Sequence, residues 1–109
     1  MLKKANRLPA TQKLKSPTFI KTPYFILKIS RSDLADNRFA FVVKKTLDKR
    51  AVGRNRVKRV LRSCVEELLE NIEVGWDMLF LLEKGIIGVK RQEVFSNLKT
   101  TLDSKKLLK

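Results

Sequence analysis

The chain has 109 residues, of which 25 are Lys or Arg and 11 are Asp or Glu, giving a formal net charge of +14 at pH 7 with no histidine and one cysteine. One domain of this size buries about two-thirds of the surface its unfolded chain would expose, so it can build a core without covalent staples. Cys64 has no partner for an internal disulfide, Cys/His zinc sites and histidine-based catalysis are excluded, and no run reaches the roughly 18 apolar residues that span a bilayer.

The N-terminal stretch "MLKKANRLPATQKLK" has no apolar segment behind its charges, so the expectation is a soluble, cytoplasmic single domain over residues 1–109. Residues 1–62 carry 18 Lys/Arg against three acids, whereas residues 63–109 carry seven against eight. A surface charged only for solubility would spread both signs. This asymmetry points to a polyanionic partner for the N-terminal half, with nucleic acid first and an anionic membrane surface a distant second.

Residues 1–23 lack periodicity and contain Pro9, Pro17 and Pro23. They read as a basic arm, about 1–21, with at most a short helix near residues 8–15. Residues 22–30, "TPYFILKIS", alternate Phe25, Leu27 and Ile29 with Tyr24, Ile26 and Lys28. Residues 38–45, "RFAFVVKK", alternate Phe39, Phe41 and Val43 with Ala40, Val42 and Lys44. Both have the period of a strand, and the polar loop between them predicts an antiparallel hairpin.

Asp48 is the expected N-cap of a helix over 51–72. Val57, Val60, Leu61, Cys64, Val65, Leu68 and Ile72 form its single apolar stripe. Residues 76–83, "WDMLFLLE", form an apolar run too short for a helix, as in a strand covered on both faces. A closing helix over 89–105 turns Val94, Leu98 and Leu102 inward. The elements add up to an α+β arrangement of helices against one sheet.

The long helix opposes its own macrodipole at both ends. Arg54, Arg56, Lys58, Arg59 and Arg62 crowd its N-terminal half, and Glu66, Glu67, Glu70 and Glu73 follow. A basic side chain in an opening turn costs roughly 0.3–1 kcal/mol. Phosphates would offset that cost, because cations and the positive helix end then attract the same ligand. Asn55, Arg59 and Arg62 lie opposite the apolar stripe, with Arg56 and Lys58 on its flanks. Asn55 can hold a neighbouring backbone group or a base edge.

No catalytic constellation is evident. The helix glutamates have surface spacing, Cys64 lies on the apolar stripe, and Trp76 opens a buried strand.

Residues 41–62, "FVVKKTLDKRAVGRNRVKRVLR", resemble the signature of the bacterial ribonuclease P protein component. In that family a lysine pair ends a strand, followed by Ala-Val, one variable residue, Arg-Asn, two residues, Lys-Arg, two residues and Arg. Here these are Lys44, Lys45, Ala51, Val52, Arg54, Asn55, Lys58, Arg59 and Arg62. "MLKKANRL", "TPYFILKI" and "GWDMLFLLEKG" extend the resemblance over most of the chain.

The resemblance implies an α+β fold with about four mostly antiparallel strands and a left-handed βαβ crossover, like domain 2 of ribosomal protein S5. It also implies a subunit that binds a catalytic RNA and the 5′ leader of precursor tRNA, one protein per RNA, with no membrane partner. The RNA carries the chemistry with its Mg2+, so the resemblance implies no catalytic residue, metal site or cofactor in the protein. The implied RNA contacts are Lys44, Lys45, Arg50, Arg54, Asn55, Arg56, Lys58, Arg59 and Arg62. The implied leader cleft is Phe19, Tyr24, Ile26 and Lys28.

Two departures stand out: no aromatic precedes Phe19, and "TLDKR" at 46–50 is long for the connector and expected to bulge. The competing readings are a ribosomal protein or general RNA chaperone, and a stand-alone nuclease.

Overall fold

The computed structural model describes residues 2–9 and 13–109. Four strands, β1 (Thr18–Lys21), β2 (Phe25–Arg31), β3 (Arg38–Val42) and β4 (Trp76–Leu82), form one sheet, and two helices, α1 (Ala51–Leu68) and α2 (Arg91–Ser104), join its core. The strand order is β1-β2-β4-β3. β4 is antiparallel to β2 and parallel to β3, so α1 is the crossover between two parallel neighbours.

The hairpin expected between 22–30 and 38–45 is therefore corrected: β4 lies between the two strands. Alternation in β2 and β3 marks each as half-buried but does not say which strand is its neighbour. A strand with nearly no polar residue is best satisfied in the middle, where both faces and both backbone edges are covered. The six residues from Ser32 to Asn37 easily span the two inter-strand spacings of about 4.8 Å each.

Buried Asn37 pins that loop. Its Nδ2 donates to Glu73 O at 2.8 Å, its Oδ1 accepts from Trp76 N–H at 2.9 Å, and its carbonyl accepts from Asn6 Nδ2 at 2.8 Å.

On one face, Phe25, Leu27, Ile29, Phe39, Met78 and Phe80 meet the helices. Of the expected apolar stripe of α1, Val57, Leu61, Cys64, Val65 and Leu68 are buried, Val60 is half-buried, and Ile72 is buried beyond the end of the helix. Val94, Leu98 and Leu102 of α2 are fully buried. Phe80 is the hub, edge-on to Phe25 at 5.2 Å and stacked on Phe41 at 5.3 Å.

The N-terminal arm is more than a solvated tail. Leu2 joins the main core, Arg7 bridges to Phe39 at the outer edge of β3, and Leu8 packs on Ala40 and Leu79 across the other face. Lys15 O then accepts from Ser30 Oγ at 2.6 Å on β2, and residues 18–21 form β1 beyond it. The described part of the short helix expected near residues 8–15 is not helical, and residues 10–12 lie outside the described residues. The helical geometry nearby is a 3-10 turn at Lys4–Asn6.

The helix boundaries are tighter than the sequence spacing suggests. α1 ends at Leu68 and continues as a 3-10 turn to Asn71. Asp48 is not the N-cap. Arg50 holds that position without a side-chain cap, while Asp48 Oδ1 accepts from Arg50 N–H at 2.9 Å. The Asp48 carboxylate packs against the Gly53 backbone, where a β-carbon would displace it. The 46–50 connector turns back on itself, with Leu47 N–H donating to Lys44 O and the Leu47 side chain buried in the core.

Candidate RNA-binding surfaces

The outward face of α1 presents the basic ridge. Asn55, Arg56 and Arg59 are exposed, and Arg54, Lys58 and Arg62 are half-buried along its flanks. No acid lies in the first turn of α1 and no base in its last, so the reversed charge order is a property of the folded helix. Arg56, Lys58, Arg59 and Arg62 form no ion pair among the described residues. Arg56 and Arg59 are open to solvent and Lys58 and Arg62 are half-buried, and among the described residues none of the four is neutralised by an ion pair, which leaves positive charge for an anionic ligand.

The other residues of the set are placed differently. Arg54 folds back, its Nη1 donating to Asp48 O and Lys49 O at 2.9 Å each, so it braces the connector as well as carrying charge. Arg50 pairs with Asp48 at 3.4 Å, and the bonds from Arg50 hold the Asp48 carboxyl below its ordinary pKa. Lys44 and Lys45 are exposed on the connector, and Lys44 lines a small depression with Glu83 and Lys84.

The ridge has two flanks that sequence cannot distinguish. On one, the Arg62 guanidinium lies 5.9 Å from the Phe41 ring centroid, and the two share a 360 Å³ cavity with Leu2 and Arg7. Arg7, which sequence left in an undifferentiated arm, is held there by donating from Nε to Leu2 O at 3.2 Å. On the other flank, Arg56 faces the turn that leads into α2. Val52 in the first turn is 80% exposed, an apolar side chain with no core to join.

The second candidate surface is the face of the sheet turned away from the helices. Phe19 of β1 stands opposite Lys28 of β2, and the Lys28 ammonium lies 5.2 Å from the Phe19 ring centroid. Phe19 is 61% exposed, so its ring offers a surface for stacking. Ile26 is opposite Lys21 on one side and Leu81 on the other, and Val42 continues the row. Sequence singled out neither Lys21 nor Leu81, because the pairings that align them with Ile26 are long-range. Tyr24 sits at the margin, half-buried against the main core.

The arm crosses the rest of this face through Leu8 and Leu14, which pack with Ala40 and Leu79. A bidentate Arg38–Asp77 pair, at 2.9 and 2.8 Å, satisfies the buried carboxylate beyond it.

Cys64 is fully buried beneath α2, and burial pushes its thiol pKa up, so it is a core residue and not a nucleophile. No helix among the described residues is long and apolar enough to cross a membrane.

The family model described as Ribonuclease P matches residues 2–106. The ribonuclease P protein component of Microcystis aeruginosa is 35% identical over 66 residues, covering 61% of this chain and 55% of the relative. The chain thus spans about half the length of the first curated relatives it matches, 55% and 54%.

Two solved structures share the fold. The Staphylococcus aureus RNase P protein has a TM-score of 0.75 at 18% identity, covering 85% of this chain and 84% of that one. The Thermotoga maritima RNase P protein has a TM-score of 0.74 at 22% identity, covering 82% and 84%. Since the family model takes in nearly the whole sequence, from the arm to the end of α2, this chain belongs to the ribonuclease P protein component family.

Proposed function

We propose that the chain is the protein subunit of a ribonuclease P and promotes maturation of the 5′ end of tRNA. The outward face of α1 binds the catalytic RNA, and the open face of the sheet holds the single-stranded 5′ leader of precursor tRNA. One protein serves one RNA. The hydrolytic chemistry belongs to the RNA with its magnesium ions, and the protein contributes binding and orientation.

The observation that carries this reading is the row Arg56, Lys58, Arg59 and Arg62, outward on one helix and without carboxylate partners among the described residues, in a member of this family. Such a row tracks a phosphate backbone, and its affinity falls steeply with salt. The pair Phe19–Lys28 supports the leader site, because an exposed ring with a cation beside it accepts any base and its phosphate. Lys44, Lys45 and Arg50 extend the positive field beyond the start of α1.

Reconstitution tests the proposal. The cognate catalytic RNA is assayed with and without this chain on precursor tRNA, at magnesium too low for the RNA alone. The expected result is release of the leader and 5′-mature tRNA only when both are present. Tight RNA binding with no gain in cleavage would favour a general RNA chaperone. Cleavage by the protein without RNA would favour a stand-alone nuclease.

A further inference from the structure

On the Arg56 flank of α1, a cavity of 450 Å³ opens between the N-terminal half of the helix and the turn before α2. That volume lies within the range of small-ligand sites, about 300–1,000 Å³. Its floor is aliphatic, made by Val57 and Val60 of α1 and by Ile86 and Val89 of the turn. Four cations stand around it: Arg56 and Lys90 form no ion pair among the described residues, Arg50 pairs with Asp48 at 3.4 Å, and Arg91 pairs with Glu67 at 3.0 Å. The single carboxylate in the lining, Asp48, is already bonded by Arg50. The turn is held in place: Gly85 packs so closely on Pro23 O that a β-carbon would clash, and Gly88 turns the chain at φ +76°.

We infer that this cavity receives one unstacked nucleotide of the RNA held by α1, its base on the aliphatic floor and its phosphate among the cations. The inference rests on the reading of α1 as an RNA-binding ridge. Arg56 belongs to both surfaces, so a backbone following the ridge passes over the mouth of the cavity. An apolar floor without a positive rim would suit a peptide side chain, and a positive rim without the floor would suit any anion. The two together fit a base with its phosphate, since splayed-out bases are held between apolar side chains and guanidinium planes. The lining has no aromatic residue, so contact is by aliphatic packing and is tolerant of base identity.

The test is methyl NMR on the full chain, titrated in parallel with uridine or adenosine 5′-monophosphate and with inorganic phosphate at millimolar concentration. The nucleotides should shift the methyl resonances of Val57, Val60, Ile86 and Val89, and phosphate should not. Val60→Phe, which fills the floor, should abolish those shifts. Lys90→Ala, an exposed position with no side-chain hydrogen bond at the α2 N-cap, should weaken nucleotide binding by about fivefold with the fold intact. Methyl resonances unmoved by nucleotides, or moved equally by phosphate, would overturn the inference. Failure of the subunit reading would appear separately, as no stimulation in the reconstituted cleavage assay despite nucleotide binding.

Discussion

Replacing Arg56 and Arg59 together with Ala should cost RNA affinity and leave the fold untouched. Both side chains are exposed and neither pairs with an acid among the described residues, so their removal uncovers no packed surface. Ala is the better helix former by a few tenths of a kcal/mol at most, so stability should hold or rise slightly.

If each arginine meets one phosphate, the slope of log K against log salt becomes shallower by about 0.7–0.9 per residue, roughly 1.4–1.8 for the pair. At about 0.1 M salt that corresponds to roughly 25- to 60-fold weaker binding, or about 2 kcal/mol, shrinking toward nothing as salt approaches 1 M. The assay is fluorescence anisotropy with labelled catalytic RNA across a salt series, with thermal melts of the same two proteins. An unchanged slope would remove these residues from the phosphate contacts. A melting temperature lowered by several degrees would show that they hold the fold instead.

Phe19→Ala should weaken a precursor with a long leader by about 1–3 kcal/mol, the worth of one stacked base, and leave a leaderless substrate unaffected. Lys28→Ala should discriminate the same way, and equal losses on both substrates would place neither residue on the leader. Asn37→Ala strips two side-chain hydrogen bonds from the loop that anchors β4. Urea unfolding should register a loss of about 2–4 kcal/mol, and a loss below about 1 kcal/mol would refute its anchoring role.

The pH dependence has a definite sign at Cys64. Burial raises the folded thiol above its ordinary value, so its contribution is complete below the unfolded thiol's pKa of about 8.5 and is lost as pH rises through the folded value. Cys64→Ala should flatten the alkaline fall in the urea midpoint, and an equal fall in both proteins would contradict this assignment.

Much of the molecule is legible in sequence because it follows from local periodicity. The apolar stripe of α1 set the phase that places Asn55, Arg59 and Arg62 opposite it with Arg56 and Lys58 on the flanks; in the fold Asn55, Arg56 and Arg59 are the exposed ones, and Arg62 is half-buried beside Phe41. The reversed charge order along the helix needed no coordinates either. The apolar run 76–83 marked a strand covered on both faces, as β4 over Trp76–Leu82 is.

Only the tertiary structure decided what depends on long-range pairing. β4 separates β2 from β3, an order no alternation of side chains encodes, because the pattern within a strand reports its faces and not its neighbours. β1 and the arm were illegible for a related reason: Thr18–Lys21 is short and half polar, and backbone pairing with β2 holds it more than side-chain burial does. The two flanks of the basic ridge likewise exist only in the fold, where Arg62 meets Phe41 beside Arg7 and Arg56 meets the turn into α2. Sequence determined which stripe of α1 is buried and on which side its basic residues gather. The packing of segments distant in the chain determined what each of them faces.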